Sequence, residues 1–330
     1  MTSEENSQKS RAKYWIKFAV RTLILVLVAW GVWRTAVNAR GEFAREGIPW
    51  REMRVGWLAV AMLFYLIGMF PSCIFWWKTL HAMGQRPSFA ETLRAFYIGH
   101  LGKYVPGKAL VVVIRTGLIR SERVDTTVAA ASVFVETLTL MAVGAVVSAG
   151  LLAALLNTQP VFILLALFLA VCAGVPTYPP LFRRVLRFLQ VHRANPDIDK
   201  AIDGLDAKLM VTGWVLISIG CIFFGLSLWA TARAIPGVAT LPTLADLPLL
   251  TAAVTLAMVA GFLSLLPGGI GVRELIVIPL LQPQYGRVVA IISAILLRVS
   301  WMAAELLIAG FLYVVVRPAR GSNDPKMPEG

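Results

Sequence analysis

Apolar residues run through this 330-residue chain in blocks too long for the core of a soluble domain. Blocks at about 15–33, 55–77, 127–155, 160–180, 209–233 and 287–316 approach or exceed the roughly 20 residues that cross a hydrocarbon layer. Between them lie two regions that are apolar only in patches. The first, 91–120, is interrupted by Gly99, Gly102, Lys103, Pro106, Gly107 and Lys108. The second, 245–283, is interrupted by Pro267, Gly268, Gly269 and Gly271. The pattern predicts an all-α polytopic membrane protein. It has about six full spans and two broken, re-entrant Pro-Gly helical elements, or eight spans if the broken regions cross. A single integral membrane domain, 15–316, lies between polar tails at 1–14 and 317–330.

The two broken regions are related by a shift of 161 residues (267 minus 106), which carries Pro106-Gly107 onto Pro267-Gly268. The same shift carries Ala129 onto Ala290 and Ser132 onto Ser293, and Glu136-Thr137 onto Leu297-Arg298. The span at 55–77 falls near the one at 209–233. Half-repeats of about 55–155 and 209–316 therefore each read as span, broken element, span. If each broken element enters and leaves on one side, the halves form an inverted repeat. Inverted repeats with discontinuous helices are a recurring transporter design. Non-helical backbone at membrane depth survives only where protein or water satisfies its polar groups.

Charge sets the orientation. The net charge is +13 and mean hydropathy is +0.74. In a soluble protein such charge would point to nucleic acid. Here it sits in loops, with no basic patch carrying interleaved aromatics, so a nucleic-acid partner is not expected. Lys9, Arg11, Lys13 and Lys17 precede or open the first span and place the N-terminus in the cytoplasm. The basic loops at 78–94, 115–123 and 181–208 and the C-terminal tail then also fall inside. The loop at 34–54, rich in Arg, is the one exception. The stretch LFRRVLRFLQVHR, 181–193, reads as an interfacial helix, and 194–208 as a solvated loop. The N-terminus lacks the order of a secretory signal.

Candidate chemistry follows from the charges. Glu136, Arg298 and Glu305 lie in otherwise apolar helices, where a charge costs about 2.5–3.5 kcal/mol at the centre on insertion scales. Each needs a partner or a wet cavity; Glu136 with Arg298 across the repeat axis is one candidate pair. Lys103 and Lys108 flank the first break, and Arg273 and Glu274 flank the second, as a local ion pair or as headgroup contacts. Freed helix N-termini hold anions; Lys103, Lys108, Arg273 and Arg298 are the candidate headgroup contacts, with Glu136 and Glu305 balancing charge or relaying protons, and with Glu274 these seven residues are the candidate substrate-binding set. Gly102, Pro106, Gly107, Pro267, Gly268, Gly269 and Gly271 shape the breaks. Cys73, Cys172 and Cys221 are isolated in apolar stretches and read as packing residues. The Asp residues of 194–208 match neither calcium nor zinc spacing. No nucleophile, P-loop or dinucleotide motif is present. No catalytic residue, metal or cofactor is therefore expected, and the chain is not expected to be an enzyme.

The segments GHLGKYVPGKALVVVIR, VFVETL, FLSLLPGGIGVRE and ILLRVSW resemble the lysylphosphatidylglycerol synthase membrane-region family over roughly 15–316. The chain departs from it at Glu136-Thr137, where the family has Glu-Arg. The resemblance implies a flippase-like integral membrane protein, a stand-alone translocase-like part without the aminoacyl transferase domain. The implied place is the bacterial cytoplasmic (inner) membrane, with both termini cytoplasmic. The implied function is movement of a lipid or lipid-linked headgroup between leaflets, with anionic or polar-headgroup lipids as partners. The alternative is a non-catalytic membrane partner of a glycosyltransferase or lipid-modifying enzyme.

Overall fold

The structure, a computed structural model, describes residues 37, 41, 52–104, 109–155, 160–175, 178, 181, 184, 198–237, 241–264, 269 and 271–316. The expected first span at 15–33, Pro106, Gly107, Lys108, Pro267 and Gly268, most of the expected interfacial helix, and both tails lie outside the described residues. Among the described residues the secondary structure is helical, with one isolated β-bridge between Ser121 and Val124. The protein is an all-α polytopic membrane protein.

Two long helices form the centre. Helix α1 spans Val55–Ala82. Its partner, farther along the chain, spans Ala207–Arg233. They run antiparallel along their whole length. Arg54 N donates to Ala234 O at 3.1 Å at one end, and Trp57 meets Trp229 edge-on at 5.2 Å. At the other end Gly204 fits directly under the Ala82 carbonyl. Midway, Gly68 and Gly220 cross so closely that a Cβ on Gly220 would sit 2.6 Å from Gly68 O. With lipid as apolar as the side chains, such close backbone approach is what holds membrane helices together.

The first broken region is a pair of short helices. Helix α2, Phe89–His100, starts at a capping box: Ser88 Oγ accepts from Glu91 N at 3.2 Å, and Ser88 N donates to Glu91 Oε2 at 2.8 Å. A 3-10 turn, Leu101–Tyr104, leads to the break. Helix α3, Ala109–Ile119, follows it, and α4, Thr126–Ala154, starts where Asp125 caps Thr127 N and Val128 N, both at 2.9 Å. Entry and exit of this region are tied together. Arg86 N donates to Arg123 O at 3.2 Å, and Asp125 N to Gln85 Oε1 at 2.7 Å.

Helix α5, Pro160–Gly174, packs on α4. Helix α6, Ile198–Asp203, corrects the solvated-loop reading of 194–208. Ile198, Ile202 and Leu205 are buried, and the turn packs on α4; its apolar residues were too few to show against four Asp. Helix α7 is the Ala207–Arg233 partner of α1. Helix α8, Leu247–Leu263, is entered through a 3-10 turn at Leu244–Asp246. Helix α9, Glu274–Val315, is one 42-residue element broken at Gly286. Gln284 Nε2 donates to Asp246 Oδ1 at 2.6 Å, so entry and exit of the second region also meet.

Shifted by the same 161, α4 falls on 287–315, which begins just after Gly286 and ends with α9. Helix α2 falls on 250–261, inside α8. The packing partners exchange in the same way: α4 lies on α8 as α9 lies on α2, and α1 lies on α4 as α7 lies on α9.

Five described helices, Val55–Ala82, Thr126–Ala154, Ala207–Arg233, Leu244–Leu263 and Glu274–Val315, are long and apolar enough to cross a bilayer. Their outer faces carry exposed Val211, Val215, Ile219, Leu307 and Phe311. Apolar surface on that scale suits acyl chains rather than water. Cys73 and Cys221 are buried as expected, but Cys172 is exposed. Its helix, α5, buries one face on α4 and leaves Leu164, Leu167 and Phe168 exposed beside it.

Candidate functional site

The charges carried into the apolar layer gather in three groups around the two breaks. The first joins the halves. Glu305, on the last span, is 1% exposed and accepts hydrogen bonds on Oε1 from Tyr65 of α1 and from Lys103 in the turn of the first break. His100 Nε2 stands 3.9 Å from the same oxygen. Tyr65 stacks on Trp301 at 4.3 Å. Lys103 Nζ lies 5.1 Å from the Tyr104 ring centre and 5.9 Å from that of Tyr65. The Lys ammonium is thus enclosed by two rings and a carboxylate.

The second group locks the first hairpin to α4. Arg115 is 2% exposed and donates to Glu136 Oε2 at 2.7 Å. It also lies 3.4 Å from His100 Nδ1. Its guanidinium sits over the rings of Phe96 at 4.2 Å and Trp76 at 5.2 Å. Gly99 makes room for it, since a Cβ there would overlap Arg115 Cγ. Thr137 Oγ1 adds a donor to Glu136 at 3.2 Å.

The third group lies at the second break. Arg298 donates to Glu274 Oε1 at 3.4 Å, with both side chains partly exposed. Arg273 covers the Trp301 ring at 5.8 Å. Its stem crosses Gly261, and Gly269, at φ +67°, brings the returning backbone against the same place. Arg273, Glu274, Arg298 and Trp301 line a cavity with α8 residues Val254, Ala257 and Met258. Its volume of ≈ 20 Å³ holds a water but no headgroup. Among the described residues, Arg273 Nε, Arg298 Nε and Glu274 Oε2 have no hydrogen-bond partner.

The ion pairs correct two expectations. Glu136 does not pair with Arg298; each finds its partner on the neighbouring hairpin arm, 21 and 24 residues away. Arg273 does not pair with Glu274, because Glu274 turns to Arg298 while Arg273 turns to Trp301 and Gly261. Of the seven candidate residues, Lys103 and Glu305 meet directly, and Arg273, Glu274 and Arg298 share one cavity. Glu136 stands apart with Arg115, and Lys108 lies outside the described residues. Gly102 packs against the start of α3, where a Cβ would be 2.7 Å from Val111 N; Gly271 turns the chain at φ +83°.

Tyr65, Tyr104, Arg115 and Trp301 were not anticipated. Arg115 reads as the start of a basic loop, yet it lies inside α3, four residues before the helix ends. The unbroken LVVVI before it is the signal that the helix runs on. Nothing marks Tyr65 within an apolar span.

A family model described as Lysylphosphatidylglycerol synthase TM region matches residues 14–309. No curated protein matches the chain.

Proposed function

Since the chain belongs to the lysylphosphatidylglycerol synthase TM region family, we propose that it moves a lipid or lipid-linked headgroup between leaflets, without catalysing a chemical step. One observation carries this reading: ionisable side chains from both broken regions converge within the apolar layer, between the α1–α7 pair and the last span. Intramembrane ionisable groups are costly and mark substrate paths. Each broken region has its entry and exit bonded together, which supports two re-entrant hairpins. The antiparallel α1–α7 pair and the exchange of packing partners support an inverted repeat with the site on its axis. Such halves can rock about a fixed central site. The basic loops favour an orientation in a bacterial cytoplasmic membrane with both termini inside.

The polar groups available are chiefly donors: Arg273, Arg298 and Lys103. They suit an anionic headgroup. The small cavity corresponds to a closed state that must widen to admit it. The test is leaflet exchange of fluorescent anionic and zwitterionic lipids in proteoliposomes. Exchange above that of protein-free vesicles, reduced in Arg273→Ala and Arg298→Ala, is the expected result. No exchange with several headgroups, using folded protein, would move the function to that of a membrane partner for a lipid- or glycan-modifying enzyme.

A further inference from the structure

We infer that Glu305 is a proton-binding site, and that its protonation releases Lys103 to an anionic headgroup, so that proton uptake and headgroup binding favour one another. The inference rests on the translocation reading above and adds its coupling ion.

The geometry begins with the two oxygens of Glu305. Oε1 takes both Tyr65 and Lys103, while Oε2 is buried and has no partner among the described residues. A deeply buried carboxylate stays ionised only while a cation answers it. Here the answering cation comes from a different half: Lys103 sits in the turn of the first hairpin, Glu305 on the last span. The pair is therefore a clasp between halves that must move against each other if the cavity is to open.

The ionisable surroundings are one-sided. Tyr65 faces Glu305 from α1, His100 from α2, and Lys103 and Tyr104 from the turn. Helix α7 reaches α9 through Ser227, which accepts from Trp301 Nε1 at 2.9 Å. Helix α8 presents Val254, Ala257 and Met258. On α9 and at its N-cap, Arg298 and Arg273 are the next charges, with Glu274 held by Arg298. Glu305 is the one carboxylate that answers Lys103 among the described residues.

The proton balance is simple. One proton adds to Oε2, the carboxylate becomes a neutral acid, and Lys103 keeps its charge. The Lys103–Glu305 pair goes from zero to +1. That charge lies beside Arg273 and Arg298, where an anionic headgroup would neutralise it. Linkage then makes the effect mutual: the headgroup binds more tightly when Glu305 is protonated, and Glu305 takes up its proton more readily when the headgroup is bound. A coupling on the order of tenfold is ordinary for such a pair of sites.

Two measurements test this, one of them independent of transport. Infrared difference spectroscopy of purified protein reads the carbonyl stretch of a protonated carboxylic acid. A band should appear on acidification in the native protein, vanish in Glu305→Gln, and already stand at neutral pH in Lys103→Met. The second is exchange of fluorescent phosphatidylglycerol in proteoliposomes. It should quicken on the order of tenfold as pH falls, and become independent of pH in Glu305→Gln. If Glu305→Gln does not fold, Lys103→Met alone decides: a titration like that of the native protein overturns the inference. An absent band together with exchange that is flat in pH overturns the proton site and leaves translocation standing. A band that behaves as stated, without exchange at any pH, overturns translocation and leaves the proton site standing.

Discussion

Removing one partner of the Arg115–Glu136 pair should unfold the first hairpin from α4, and removing both should do less harm. The two charges are 2% and 1% exposed and meet at 2.7 Å. Loss of either leaves an uncompensated buried charge, which costs about 3–5 kcal/mol. For Glu136→Leu the stranded group is a guanidinium between Phe96 and Trp76, with the His100 ring nitrogen at 3.4 Å left as its hydrogen-bond partner among the described residues. For Arg115→Leu it is a carboxylate left, among the described residues, with the one hydrogen bond that the Thr137 hydroxyl donates at 3.2 Å. Replacing both by Leu removes two desolvation penalties with the one attraction, and such replacements are often close to neutral. The pair's coupling should therefore exceed about 2 kcal/mol in a double-mutant cycle. The assay is equilibrium unfolding in mixed micelles, followed by tryptophan emission, on native protein, both single variants and the double variant. A double variant as unstable as the sum of the singles would refute the reasoning. The charges would then be acting independently, through water or lipid headgroups, instead of through each other.

Two further outcomes follow from the backbone. Gly220→Leu should cost about 1–3 kcal/mol, because even its Cβ would press on the Gly68 carbonyl at 2.6 Å; the same unfolding assay reads it, and a neutral result would mean that the α1–α7 crossing is looser than described. Gly286→Ala should cost about 1–2 kcal/mol, because φ +81° lies in the left-handed region where a Cβ crowds the following carbonyl; no Cβ clash adds to it, since the space there is open, and a stabilised variant would contradict the kink.

Much of the architecture was legible from composition and order. Four of the five described spans begin within about two residues of where an apolar block or a broken region opens, because a bilayer demands length and uniform apolarity, and both are written in one dimension; the fifth begins at Glu274, inside the second broken region and thirteen residues before the block at 287. The two breaks were legible because Pro and Gly cluster rarely inside spans. The shift of 161 carries α4 onto 287–315, the part of α9 after Gly286, but carries α1 onto 216–243, where α7 spans Ala207–Arg233. The short α6 was not legible: three buried apolar residues cannot outweigh the polar composition around them.

The sequence by itself determined that charges enter the apolar layer at Lys103, Glu136, Arg273, Glu274, Arg298 and Glu305, since nothing can hide an ionisable residue in an apolar run. Only the tertiary structure decided who answers whom. Pairing depends on which faces of α3, α4 and α9 meet their neighbours, and a one-residue rotation of 100° would turn these side chains away from their partners. Arg115 takes Glu136, Arg298 takes Glu274, and Lys103 reaches across 202 residues to Glu305. A charge in a membrane is readable as a need; its partner is a matter of packing.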